Sequence, residues 1–209
     1  MDYREIQNAV YDSVIRAQDA GLVRLSAGNI SARTADGHVA ITPSGIQYSD
    51  LKAEQISIVD LDGQLISGPK PSSETPMHTA ILRAMPEVQS VFHSHSPYAI
   101  SFAMAGKDVP MVNLELFVCG APIPVAPWAS PGSVAAGEIV VEIFKQRPEL
   151  KVVLLRKHGL VAIGDNLDQA YKLAYDAEIG MMTYFNALQL GKPEPLTAEQ
   201  IQEIKDVYR

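Results

Sequence analysis

A chain of 209 residues that is 47% hydrophobic and 20% charged, with a mean hydropathy of +0.03, has the make-up of one globular domain, which excludes a disordered or fibrous polymer. Its formal charge of −7, a pI near 5.2 and the lack of any Lys/Arg-rich run exclude a nucleic-acid footprint. No apolar stretch approaches the roughly 20 residues that cross a bilayer, and the single Cys119 has no internal disulfide partner; with acids early in MDYREIQNAVYDSV and no apolar signal core, the chain is expected in the cytoplasm.

The elements are expected in the following order. Ile6, Val10, Val14 and Ala17 recur at helical spacing within residues 4–20, and Gly21 closes that helix. A short strand over His38 to Thr42 ends at Pro43. Ile56 to Asp60 and Leu61 to Ile66 form a hairpin with Asp62-Gly63 near its turn. Ser72 or Ser73 caps a helix from about Glu74 to Ala84, which Pro86 stops. Val88 to His95 reads as a buried strand, Pro97 to Ala105 as a helix and Pro122 to Pro127 as a short extended piece. A helix follows Ser130-Pro131-Gly132-Ser133 to about Lys145, then an apolar strand over Val152 to Leu155 that reaches His158-Gly159. A long helix from about Asn166 to Leu190 and a short one from Ala198 end the chain. Interspersed helices and strands with no break in composition predict an α/β or α+β class with one central sheet, a single domain over residues 1–209. A core of that size needs no metal for stability, so a metal in this chain would serve function.

Chemistry concentrates in a few places. His93 and His95 stand at i and i+2 at the end of a strand, so their imidazoles project to one side. His158 follows a second strand, and a neighbouring placement brings it to the same edge. Three neutral imidazoles with an open position are the pattern of a catalytic Zn²⁺ site; Mn²⁺, Co²⁺ and Fe²⁺ accept the same ligands. An H-x-H pair alone equally fits surface or hydrogen-bonded histidines, and His38 and His78 are read as structural. Glu74 stands at a helix start, where a carboxylate complements the dipole, or serves as a general base beside a metal. Ser26-Ala27-Gly28-Asn29, Thr42-Pro43-Ser44-Gly45 and Pro71-Ser72-Ser73 combine hydroxyls, an amide and backbone N–H groups that suit an anion, although each alone is also an ordinary turn or cap. There is no G-x-G-x-x-G after a strand and no Walker-type loop, so nucleotide binding has no support.

Taken in order, LSAGNIS, ITPSGIQY, PSSETPMH, VFHSHS and LLRKHGLVAIG closely resemble the class II aldolase/adducin family over about residues 5–190. The resemblance implies a central, largely antiparallel sheet between helical layers and a fourfold-symmetric homotetramer with active sites at subunit interfaces. It implies His93, His95 and His158 as zinc ligands and Glu74 as the acid/base. Asn29, Ser44, Gly45, Ser72 and Ser73 fall where the family binds a substrate phosphate. The implied chemistry is aldol cleavage of a small ketose 1-phosphate through a metal-stabilised enediolate, giving dihydroxyacetone phosphate and an aldehyde. Related readings are a methylthioribulose-phosphate dehydratase, a 4-epimerase, a decarboxylase and, outside enzymes, an adducin-like interaction module. The family's epimerases carry Asp where this chain has Glu74, whereas its aldolases and methylthioribulose-phosphate dehydratases carry Glu, which argues against an epimerase, although Thr75-Pro76-Met77-His78 is more similar to the epimerase version of the motif. Those aldolases place a Tyr near what is here Val112 to Leu116, and none is present; Glu115 is the substitute candidate, and Tyr208 is a candidate for the tail Tyr of the same enzymes.

Overall fold

The apolar runs of the sequence become the centre of one sheet. The computed structural model describes residues 2–120 and 122–207. It places the strands β1 (Asn29–Arg33), β2 (Val39–Ile41), β3 (Ser57–Val59), β4 (Leu65–Ser67), β5 (Ser90–Ser94), β6 (Val125–Ala126), β7 (Val152–Leu155) and β8 (Gly159–Gly164) in the order β4-β3-β2-β1-β5-β8-β7-β6. Every pairing is antiparallel except that of β6 with β7.

Seven helices among the described residues flank the sheet: α1 (Arg4–Asp19), α2 (Thr75–Ala84), α3 (Pro97–Ala105), α4 (Leu114–Val118), α5 (Val134–Gln146), α6 (Leu167–Leu190) and α7 (Ala198–Val207). Period-2 alternation sorts the strand residues between two cores. Ile30, Ala32, Phe92, Leu154, Leu160 and Ala162 pack with α1, α3, α4 and α6. Val91, Val153, Val161 and Ile163 pack with α2 and α5 on the other side. The strands β7 and β8 are therefore apolar on both faces, which makes them continuous runs rather than alternating ones, whereas β1 and β5 carry Asn29, Ser31, Ser90 and His93 among their apolar residues. This is a mixed α/β single domain, a sheet between helical layers, as expected.

Most helix limits follow from their ends. Asn166 and Ser133 cap α6 and α5, accepting from Gln169 N at 2.8 Å and Ala136 N at 3.2 Å. Gly106, at φ 66°, closes α3 in the left-handed region that glycine enters freely. The cap of α2 differs from expectation: Glu74 itself occupies the N-cap position and makes no side-chain cap, while the Ser72 carbonyl accepts from Thr75 N at 3.1 Å and Thr75 Oγ1 at 2.7 Å. The Glu74 side chain is thereby released from its own helix.

Three elements differ from the sequence expectation. Asn29 is the first residue of a strand rather than part of a turn. Gly159–Gly164 is a fully buried central strand, paired with both β5 and β7. The helix α4, which carries Glu115 and which Asn113 caps by accepting from Leu116 N at 3.0 Å, stands where the sequence led to no helix being expected.

Candidate active site

The sheet parity that divides the cores also gathers the site. Asn29 and Ser31 alternate with Ile30 and Ala32, and His93 alternates with Phe92, so all three project toward α2. Asn29 lies directly opposite His93 in the β1–β5 ladder. His95 follows the last residue of β5, and His158 precedes the first of β8. Because β5 and β8 are antiparallel neighbours, the end of one and the start of the other share an edge.

Close approach there depends on glycine. A Cβ on Gly159 would stand 2.2 Å from the Ser94 carbonyl oxygen and 3.1 Å from His93 Cε1. At Gly28, with φ +84°, a Cβ would meet Val23 Cγ1 at 2.7 Å and the His93 carbonyl oxygen at 2.9 Å. Among the described residues, the two non-glycine residues at positive φ, Leu25 and Lys157, immediately precede Ser26 and His158; backbone strain thus sits at two of the loops that enter the site.

Glu74, His93, His95 and His158 present one ligand atom each within 4.8 Å of one another. The Nε2 atoms of His93 and His95 are 2.9 Å apart. Glu74 Oε2 lies 2.9 Å from His93 Nε2, and Oε1 lies 3.4 Å from His158 Nε2. His93 Nδ1–H donates to the Leu160 carbonyl at 2.9 Å, which turns the Nε2 lone pair into the cluster. Several lone pairs then face one another at contact distance, an arrangement that a shared cation relieves. The donor set of three imidazoles and a carboxylate therefore fits a divalent transition metal.

Electrostatics agree. Burial pushes His95 and His158 down to about 4, with the neighbouring His93 adding to the shift, so both imidazoles are neutral at neutral pH, the form that could ligate a metal. Burial works against the charge on Glu74, but the adjoining His93, with His158 and the Asn29 amide, outweighs it and holds the carboxyl below the usual carboxylate range.

A cavity of about 420 Å³ opens onto this group, bounded by Glu74, His95 and His158. The same cavity is also lined by Ser26, Asn29, Ser44, Gly45, Ser72 and Ser73, so the three predicted anion segments do converge. Their donors are not the expected ones throughout. The backbone N–H of Ser44 is committed to the Lys70 carbonyl at 2.9 Å and that of Ser72 to the Thr42 carbonyl at 3.0 Å; at these two positions the hydroxyls are left to meet an anion. A larger cavity of about 510 Å³ lies at the other end of β1, beside α1 and the start of α6, and contains none of the sequence-derived site residues.

Other predicted residues are placed elsewhere. Glu115 lines a different cavity, with Lys172 and Asp176. Tyr208 lies outside the described residues. His38 contacts Tyr3 Oη and Asp36, each at 2.9 Å, away from the site. His78 is fully buried behind Asn29.

Two contributors went unread in the sequence. Glu178 of α6, only 8% exposed, accepts from Tyr98 N and Ala99 N at 2.9 Å each, fixing the start of α3 just behind His95. Its signal was an acid four residues after Ala174 and three before Met181 on the buried stripe of a long helix. Tyr48, buried, donates to the Gly28 carbonyl at 2.5 Å and so holds the loop before Asn29.

The family model described as Class II Aldolase and Adducin N-terminal domain matches residues 8–185. A relative from Bacillus thuringiensis serovar kurstaki, 5-deoxy-D-ribulose 1-phosphate aldolase, is 33% identical over 88% of this chain and 86% of its own. The 3-oxo-tetronate 4-phosphate decarboxylase of Pectobacterium atrosepticum is 35% identical over 86% of this chain and 83% of its own. Among solved structures, an L-fuculose 1-phosphate aldolase superposes with a TM-score of 0.89 at 25% identity, covering 98% of this chain and 96% of that one.

Proposed function

The chain belongs to the class II aldolase and adducin family, and from that premise we propose that it reversibly cleaves a small ketose 1-phosphate, of the L-fuculose 1-phosphate kind, into dihydroxyacetone phosphate and an aldehyde. The observation that carries this reading is the convergence of three imidazoles and one carboxylate on a cavity that serine hydroxyls and an amide also line.

In this reading Zn²⁺ is held by His93, His95 and His158, with Glu74 beside it. When bound, the ion supplies Lewis-acid stabilisation of the negative charge that develops on the substrate's oxygens. The chain's own residues do the rest. The hydroxyls of Ser44, Ser72 and Ser73, with the Asn29 amide and the open backbone at Gly45, bind the phosphate and so set the distance between it and the reacting carbons. In the synthetic direction Glu74, ionised and partly desolvated, removes a proton from the carbon next to the carbonyl; in cleavage the same carboxyl, protonated by the proton that the hydroxyl of the departing aldehyde gives up, returns it to that carbon. The depressed basicity of His95 and His158 keeps protons from competing for their lone pairs at neutral pH.

Assembly as a homotetramer belongs to the same proposal. Exposed apolar side chains on α3, α4 and α6, among them Met104, Leu114 and Phe185, support burial against further copies. Light scattering after size exclusion measures it.

The decisive experiment incubates metal-replete protein with ketose 1-phosphates and 5-phosphates and follows dihydroxyacetone phosphate through a coupled assay, with an EDTA-treated control. Release that depends on metal is the expected result. Substrate loss without triose phosphate would transfer the site to a dehydratase, epimerase or decarboxylase.

A further inference from the structure

Asn29 Nδ2 lies 3.2 Å from Glu74 Oε2. A side-chain amide turned by half a revolution presents Oδ1 where Nδ2 had been. Against an ionised carboxylate the turned amide would set acceptor against acceptor, so the orientation of Asn29 decides whether Glu74 has a donor there at all.

The structure contains a device that fixes this orientation. His78, on the second turn of α2 and wholly buried, places Nε2 2.6 Å from Asn29 Oδ1 and Nδ1 2.7 Å from Ser31 Oγ. Ser31, also wholly buried, faces the same side of β1 as Asn29. The placements assign the protons in turn. Asn29 Nδ2 donates to Glu74 Oε2, which leaves Oδ1 facing His78. Asn29 Oδ1 can only accept, so His78 carries its proton on Nε2. Burial keeps the imidazole neutral, pushing it down to about 3, so Nδ1 is bare and accepts from the Ser31 hydroxyl.

We infer that His78 is a positioning residue for Glu74: as the neutral Nε2–H tautomer, anchored by Ser31, it locks the Asn29 amide with its donor toward the Glu74 carboxylate. The inference rests on the proposed role of Glu74 for its kinetic consequence, but the lock itself is independent of that role. Asn29 also borders the cavity, so the same lock sets the amide that meets the substrate's phosphate. A histidine that merely fills space between β1 and α2 would need neither a particular tautomer nor a particular replacement.

Two measurements test it. In metal-free protein labelled with 15N-histidine, the His78 signals, identified by their loss in His78→Gln, should report a protonated Nε2 and a bare Nδ1. A protonated Nδ1, or an imidazolium at neutral pH, overturns the lock whatever the enzyme's activity. In metal-loaded protein, solvent deuterium exchange into dihydroxyacetone phosphate reads the Glu74 step directly. His78→Leu removes the donor and should slow kcat for exchange by about 10–100-fold with metal content retained, the scale on which groups supporting an active-site ligand act. His78→Gln sets an amide N–H where Nε2 stood and should restore most of that loss. Equal kcat in wild type and His78→Leu, or no rescue by a folded His78→Gln, rejects the inference. Absence of exchange in the wild type rejects the aldolase reading and leaves the tautomer measurement to decide the lock.

Discussion

The histidine–glutamate group and the serine cradle line one cavity but are built in opposite ways. The first is anchored on the ends of β5 and β8 and at the start of α2; the His93 side chain is wholly buried and that of Glu74 is 8% exposed. The cradle is carried by three loops, with Ser73 and Gly45 exposed and Ser44 half-buried. Rigid, desolvated placement suits groups that must meet charge as it develops, because such groups need no rearrangement at the moment of reaction. Open loops suit a phosphate that must shed water on arrival and leave again. Substitutions on the strand side should therefore destroy chemistry, and those on the loop side should weaken affinity.

The largest effect is expected at His93. His93→Ala removes one of the proposed ligands together with its hydrogen bond to the Leu160 carbonyl, so bound metal, read by elemental analysis, and activity should disappear together. Retention of stoichiometric metal in a His93→Ala/His158→Ala double variant would refute the ligand assignment. Next comes Glu74→Gln, which keeps the shape beside the imidazoles but not the base. Metal should stay bound while proton exchange at the substrate carbon falls by about 10²–10⁴-fold, the usual worth of a positioned acid or base. Undiminished exchange would remove Glu74 from its role.

The cradle should respond differently, and two adjacent serines sharpen the contrast. Ser73 is exposed and belongs to the loop alone, so Ser73→Ala should raise KM by about tenfold or more, the equivalent of a hydrogen bond to a charged group, with kcat nearly unchanged. Ser72 belongs to both regions, since its Oγ also accepts from Glu74 N at 3.2 Å. Ser72→Ala should raise KM and lower kcat together. A pure KM effect in both variants would mean that the backbone bond to Glu74 is idle.

The same division explains what could be read from sequence. Residues with a strong periodic or punctuating signal were legible: the α3 helix between Pro97 and Gly106, the hairpin at Asp62-Gly63, and the H-x-H at the end of β5. β1 was not, because NISAR contains one strongly strand-favouring residue and owes its conformation to pairing with β2 and β5 on either side. β8 was hidden for a related reason: two glycines bound a short apolar run, and Gly159 is needed for proximity to His93 rather than for a turn. Both strands take their place from tertiary contacts. The convergence of Asn29, Ser44 and Ser72 on one cavity joins segments far apart in the chain, so only the five-motif resemblance suggested it. The Ser31–His78–Asn29 chain gave no sequence signal, since its members lie 47 and 49 residues apart and each alone is an ordinary buried polar residue.

His78 also makes the strand side sensitive to acid in a way the cradle is not. Its pKa is depressed from 6.5 to about 3 in the folded chain by burial, His93 adding to the shift. Between those values the unfolded chain binds a proton that the folded chain refuses, so the contribution of His78 to stability is complete above about pH 6.5 and is lost as the pH falls toward 3. Over that window one such group makes stability fall by up to about 1.4 kcal/mol per pH unit. Gln cannot titrate, so denaturant unfolding of metal-free wild type and His78→Gln at pH 7, 6 and 5 should give curves that converge as the pH drops, the wild type losing stability faster. Ser73→Ala removes no titrating group and should run parallel to the wild type across the same range. Parallel behaviour of His78→Gln would instead mean that the imidazole accepts a proton without unfolding the chain, and that the polar core behind Asn29 is wetter than its complete burial indicates.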